Sequence, residues 1–313
     1  INQLRLDDEQ WSVLVSGGAA VLLGVLVAAS STQVGEEARH ASRQVTLLSS
    51  GPQDVPQAPV MPAAPPVDPI GGLSVRARQA ADEATRRGAD IGFTLLDRKT
   101  GEVVSGGDGG AFPIASVTKL FIADDLLLQV SKGQRQLTPD ERQSLDVMLR
   151  SSDDNAAEIF WSESGGNDVV NRVKARYGLT GTSAPYDGHW WTTMSTTADL
   201  VRYYDMLLDG TGGLPLQQAA IILGDLSAST PKGLDGYPQR FGIPDGFFAE
   251  PVAVKQGWMP GWNGNNWLHM STGVIGADHR FVFAIGSMQP VDDTTARDTV
   301  TQAIKTMFPA GRI

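Results

Sequence analysis

The chain has 313 residues, 41% of them hydrophobic, and a formal net charge of −10. That acidic balance excludes a phosphate-binding surface, so no nucleic-acid partner is expected. The absence of cysteine rules out disulfides and thiolate metal centres. His40, His189, His269 and His279 have no metal-ligand spacing, and there is no glycine-rich phosphate loop, so neither a metal nor a cofactor is expected.

In chain order, residues 1–10 form a short flank carrying Arg5 and the acidic run Asp7-Asp8-Glu9. Residues 11–31 hold no charged side chain and are long enough for one membrane-crossing helix, which needs roughly 20 residues. Trp11 suits the interface at one end. A cleaved signal peptide is the rival reading, because Val27-Ala28-Ala29-Ser30 resembles a cleavage site; the acidic run in front of the segment opposes it. A retained single-pass anchor in the cell membrane is the expectation, with residues upstream of Ile1 left open. Ser16, Ala20, Gly24 and Ala28 would form a small-residue stripe on that helix, a place where a partner transmembrane helix can approach closely. Residues 32–72 follow as a stalk. Prolines at 52, 56, 59, 62, 65, 66 and 69 favour extended polyproline geometry and leave no hydrophobic period.

Residues 73–313 read as a globular domain. Spaced apolar positions predict a helix over 73–87, and a hairpin follows, 90–96 and 103–105, around Arg98-Lys99-Thr100-Gly101. Helices are predicted over 116–130, 139–149, 154–162, 168–177, 197–208 and 216–223. The pattern then turns to strands at 252–257, 267–274 and 280–285, and a last helix spans 294–307. Two strands, a block of helices, three strands and a closing helix imply an α+β fold: an antiparallel sheet with segregated helices.

Three short segments carry the chemistry: Ser116-Val117-Thr118-Lys119, Ser152-Asp153-Asp154 and Lys255-Gln256-Gly257. A serine and a lysine three apart share a helix face, so Lys119 can reach the Ser116 hydroxyl. A hydroxyl is a poor nucleophile until a base takes its proton, and a lysine is that base only where burial or a neighbouring cation lowers its pKa. Read separately, each segment has a plain structural alternative: a helix N-cap, a capped acidic first turn, an ordinary strand lysine.

Order and context make the three together resemble the active-site motifs of the penicillin-recognising serine enzymes, the class A β-lactamases and low-molecular-weight penicillin-binding proteins. The resemblance covers about residues 73–313. It implies a β-lactamase/transpeptidase-like fold, with an all-helical subdomain inserted between early and late strands, placed outside the cytoplasm. It implies Ser116 as nucleophile, Lys119 as base, Ser152 as proton relay and Lys255 as the cation steering an anionic substrate. Asp154, Gln256, Gly257 and Trp258 would then line the substrate site. The Ser116 and Trp258 N–H groups would form the oxyanion hole. The implied substrates are peptides, β-lactam-like compounds or esters.

The chain departs from the family pattern in three places. Asp154 stands where the family has asparagine, with Asn155 one residue later as the alternative match if the register slips, and an ionised carboxylate only accepts hydrogen bonds where an amide also donates. Gln256 replaces a small hydroxyl residue. The stretch 178–193 holds Asp187 and His189 but no glutamate, so the water-activating base of class A β-lactamases is missing and an acyl-enzyme would hydrolyse slowly. Trp190-Trp191 reads as loop packing. Two functions stay open: a membrane-anchored serine hydrolase or acyl-transferase, and a catalytically impaired relative serving as an accessory subunit of a membrane complex.

Overall fold

The computed structural model describes residues 71–313. The expected membrane anchor, its small-residue stripe and nearly all of the stalk lie outside the described residues. Among the described residues no helix is long and apolar enough to cross a membrane.

Helix α1 (Leu73–Arg86) buries Leu73, Ala77, Ala80 and Ala84, one stripe at helical spacing. Strands β1 (Asp90–Asp97) and β2 (Glu102–Gly107) form the expected hairpin. A two-residue strand β3 (Phe112–Pro113) leads into a 3-10 turn, Ala115–Thr118, and helix α2 (Lys119–Ser131). Helices α3 (Pro139–Arg150), α4 (Asp154–Glu163) and α5 (Asn167–Tyr177) follow, then β4 (Met194–Ser195), α6 (Thr197–Asp209), α7 (Leu216–Ser227) and the single turn α8 (Ile243–Gly246). Strands β5 (Val252–Trp262), β6 (Asn266–Ile275) and β7 (Phe281–Gln289) and helix α9 (Asp293–Met307) complete the domain.

The main sheet has the order β2-β1-β7-β6-β5 with antiparallel pairing throughout. Its inner strands are buried on both faces: β7 reads as almost continuously buried, not alternating. Two cores explain this. On one face α1, α8 and α9 pack Ala80, Ile243, Val300 and Ile304 against Phe93, Phe283 and Ile285. On the other, the helices from α2 to α7 pack against Met270, Val274 and Ala284. Such double coverage replaces alternation with continuous apolar runs.

Helix α2 is the axis of the helical half. Every residue from Lys119 to Leu128 is buried, the mark of a helix surrounded on all sides. Its two acids are matched: Asp124 accepts from Arg176 and Tyr177, and Arg172 donates to Asp125 through two nitrogens, both at 2.8 Å.

The structure differs from the sequence reading in places that bear on the site. The helix expected from 116 begins at Lys119, because Ala115 adopts a left-handed conformation (φ 44°) and Ser116 sits in the 3-10 turn. Strand β5 runs past the expected end at 257 to Trp262, since a register shift between Met259 and Trp262 absorbs Pro260 and Gly261. The β3–β4 ribbon and α8 are too short to give a periodic signal.

Candidate active site

The nucleophile candidate is held from two sides. The β3–β4 ribbon pins the approach to the 3-10 turn, with Ile114 N–H donating to the Thr193 carbonyl at 2.9 Å. Strand β5 presses against the same turn. A Cβ placed on Gly257 would meet the Ile114 carbonyl oxygen at 2.6 Å and come within 3.4 Å of the Ser116 nitrogen. Gly257 is therefore demanded by backbone-to-backbone approach. Left-handed backbone at a non-glycine residue costs on the order of 1 kcal/mol or more, and here it occurs at Ala115 and again at Ser152 (φ 57°). Both strained positions adjoin or carry a hydroxyl of the cluster. Ser116 itself is not a helix cap: the residue before the turn is Ile114, and no side chain caps it.

The Lys119 amine is the hub. Its Nζ lies 2.9 Å from Ser116 Oγ, 2.7 Å from the Ser152 carbonyl oxygen, 3.1 Å from Ser152 Oγ and 2.5 Å from Asp154 Oδ1. Four oxygens around an ammonium with three hydrogens leave one hydrogen shared; when the amine is neutral, Ser116 donates to it instead. Lys255 completes the chain, donating to Ser152 Oγ at 2.8 Å and to the Gln256 carbonyl at 3.2 Å. Asp153, not Ser152, caps α4 by accepting from Asn155 N–H at 2.9 Å. That cap fixes Ser152 and Asp154 on either side of it.

Both lysine side chains are buried, and burial lowers both pKa values because a charged amine loses its hydration. The two then diverge. The Asp154 carboxylate pushes Lys119 back toward its charged form. Lys255 is driven well below its ordinary value, first by burial and then by the positive charge of Lys119. The two amines thus flank Ser152 with unequal tendencies to hold a proton.

The remaining sequence candidates are placed differently. Gln256 is 1% exposed, and its amide donates to the Gln239 carbonyl at 3.0 Å and the Phe241 carbonyl at 2.5 Å. Trp258 stacks on Tyr237 with ring centres 4.6 Å apart and planes 10° apart, and its Nε1 donates to Asp235 at 3.3 Å. Asp187 accepts from Thr192 and His189 N–H, and His189 stacks on Trp191. Those two are spent inside their own loop.

Two features escaped the sequence reading. Trp190, read as packing, lies against the site: Lys119 Nζ sits 4.7 Å from its ring centre, and its Nε1 donates to Glu158 at 3.2 Å. An aromatic ring, not a carboxylate, is what the 178–193 loop brings to Lys119. The second is the loop 229–240. Thr230 N–H and Leu234 N–H donate to the Arg150 and Ser151 carbonyls, at 3.0 and 2.7 Å, while Asp235 and Tyr237 grip Trp258. The loop bridges the Ser152 segment and β5, and no local pattern in its sequence announces that. Among the described residues no cluster of histidine, aspartate and glutamate has a metal-binding arrangement.

Comparison with known proteins places this arrangement. The chain aligns with solved structures over nearly their whole length. It covers 75% of itself and 99% of a β-lactamase from Chitinophaga pinensis, with TM-score 0.60 and 16% identity. Against PBP-A it covers 79% of itself and 98% of that chain, with TM-score 0.63 and 18% identity. An L158E mutant of PBP-A, solved as an acyl-enzyme complex with penicillin G, matches with TM-score 0.64 and 17% identity. At such identities the likeness establishes the fold, that of the penicillin-recognising serine enzymes. No family model matches the chain. Curated relatives do: the protein named "Putative lipoprotein LppW" of Mycobacterium tuberculosis, and its Mycobacterium bovis counterpart, are 54% identical over 312 residues, covering 96% of this chain and 98% of theirs. The chain therefore belongs to the LppW family, built on the fold of the β-lactamases and PBP-A.

Proposed function

We propose that the protein is a membrane-associated, extracytoplasmic serine hydrolase or acyl-transferase that works through Ser116. The observation that carries the reading is the unbroken run of contacts from Ser116 Oγ through Lys119 Nζ and Ser152 Oγ to Lys255 Nζ, at 2.9, 3.1 and 2.8 Å. In this reading neutral Lys119 takes the Ser116 proton as Oγ attacks an acyl carbon. The proton passes through Ser152 to the leaving group, and the acyl group stays on Ser116 until water or a second nucleophile removes it. The N–H groups of Ser116 and Trp258 would receive the developing oxyanion. With Trp190 over Lys119 in place of a carboxylate, water is poorly activated and the acyl-enzyme is long-lived, which favours transfer to a stronger acceptor. Peptides, esters and β-lactam-like compounds are the acyl donors considered.

The name of the LppW relatives supports membrane attachment. A thiol-linked lipid has no cysteine to use among these 313 residues, so attachment through this stretch falls to the apolar segment 11–31, with the stalk 32–72 lifting the domain outward.

One observation favours a second reading, a catalytically silent accessory subunit: Asp154 at 2.5 Å from Lys119 favours the charged form of the amine, which cannot accept a proton. Intact-protein mass after incubation with an activated aryl ester separates the two. A stoichiometric adduct that Ser116→Ala abolishes supports the enzyme; a folded protein that takes no adduct supports the accessory subunit.

A further inference from the structure

Ser116 lies between the Ser152 segment and β5, which the 229–240 loop ties together, and what a ligand meets there depends on which donors are free. Gln256 offers none, because both of its amide contacts are to buried carbonyls. Lys255 is 1% exposed and committed to Ser152. Opposite Trp258 on β5, strand β6 carries His269. That side chain is fully buried, with Nε2 against Tyr237 Oη at 2.7 Å, and burial holds it in the neutral form. Arg297, whose guanidinium lies over the Tyr237 ring, is spent on Asp293 at 2.8 Å.

Three carboxylates stand at this end of the site. Asp235 is fixed by Trp258 Nε1 at 3.3 Å and Tyr237 N–H at 2.9 Å, and its carboxylate remains open to solvent. Asp154 is 67% exposed behind its contact with Lys119, and Asp153 lies beside it. Asp235 acts on the charge of both buried lysines, so it lies within electrostatic reach of the reacting centre. The loop's own cations, Lys232 and Arg240, are as exposed as Asp235 on the same segment, but neither is hydrogen-bonded to Trp258 as Asp235 is.

We propose that this site selects acyl donors without a carboxylate, neutral or positively charged esters and amides, with Asp235 as the specificity-determining residue. A carboxylate entering here would lose its hydration, find its candidate donors already paired inside the protein and face a fixed negative charge; discrimination of that kind comes from the repulsive element as much as from the attractive one. The proposal rests on Ser116 being the nucleophile.

The test uses the whole chain and three 4-nitrophenyl esters with acyl chains of matched length, ending in a methyl, a carboxylate or a trimethylammonium group. Second-order rates of Ser116 labelling are read by intact-protein mass and corrected for each ester's hydroxide-catalysed hydrolysis. The neutral and cationic esters should label at least tenfold faster than the anionic one at low salt, and Asp235→Asn should narrow the gap several-fold, as should raising the ionic strength. An anionic ester that labels as fast as the neutral one, or a gap unmoved by Asp235→Asn, overturns the selectivity while leaving Ser116 as nucleophile. If no ester gives labelling that Ser116→Ala removes, the selectivity and the serine-enzyme reading both fall.

Discussion

Lys119 Nζ and Asp154 Oδ1 lie 2.5 Å apart, one at a fully buried amine and the other on a side chain two-thirds exposed. The contact places a solvent-facing carboxylate against a buried amine. Burial lowers the Lys119 pKa and Asp154 raises it again, so the fraction of neutral amine at a given pH is set by the contest between them.

Replacing Asp154 removes one contestant. In Asp154→Asn the Lys119 pKa moves further down, because the charge that favoured the ammonium is gone. If neutral Lys119 is the base, labelling of Ser116 falls as pH drops through that pKa, and the acid limb of the pH–rate profile shifts to lower pH in the variant. The profile of ester labelling from pH 5 to 10 checks this; a limb that stays put or moves up would show that Lys119 is not the base.

Lys255 offers a case where stability and activity part. Its amine is desolvated, lies near another cation and is hydrogen-bonded to Ser152 and the Gln256 carbonyl with no carboxylate partner, so an apolar group of similar volume removes a desolvation cost. Lys255→Met should unfold in urea at a stability about 1 kcal/mol higher, while Ser116 labelling drops about 100-fold or more through loss of the Ser152 partner. A variant that loses both stability and labelling would assign Lys255 to packing.

Gly257→Ala tests the close approach of β5 to the nucleophile turn. The new methyl would fall 2.6 Å from the Ile114 carbonyl oxygen, so strand or turn must shift. Overpacking of this kind costs about 1–3 kcal/mol, and a displacement of about 1 Å at the nucleophile costs about 100-fold in rate. Chemical denaturation and ester labelling on the same preparation measure both.

Asp97 predicts how the fold responds to acid. It is buried, and Arg280 donates to its two oxygens at 2.8 and 2.6 Å, which brings its pKa from 3.8 down to about 2. A carboxylate depressed in the folded state contributes stability that is complete above its unfolded value and is lost as pH falls through the folded one. The shift corresponds to about 2 kcal/mol. Asp97→Asn should therefore be less stable than the parent by about that much at pH 7, and the difference should close as pH falls from about 4 to 2. Urea midpoints at both ends of that range decide it.

The elements with strong periodicity were readable in the sequence: α1, the β1–β2 hairpin, α3 to α7 and α9 fall close to their expected spans, and with them the α+β plan. The grouping of Ser116, Lys119, Ser152 and Lys255 was likewise legible, because motif spacing constrains what a fold can bring together. What was not legible depends on tertiary approach. Ala115 is an ordinary alanine in sequence, and its left-handed backbone is imposed by the ribbon on one side and β5 on the other. Trp190 carried only the general tendency of tryptophan to pack; that it packs on the Lys119 amine follows from the course of the 178–193 loop. Gln256 was read as lining the groove. Its position on β5 gave no sign of the Gln239 and Phe241 carbonyls that pull its amide inward.

The loop 229–240 has a mechanical meaning beyond charge. Its backbone is stitched to Arg150 and Ser151 at one margin, and its side chains clasp Trp258 at the other, so it braces the Ser152 segment against β5 beside the direct Lys255–Ser152 contact. Releasing that brace should loosen the spacing of Ser152 and Lys255 before the sheet and its two cores are disturbed. Loss of reactivity toward acyl probes would then precede any change in bulk helicity, and a preparation judged native by its circular dichroism could already be chemically blind.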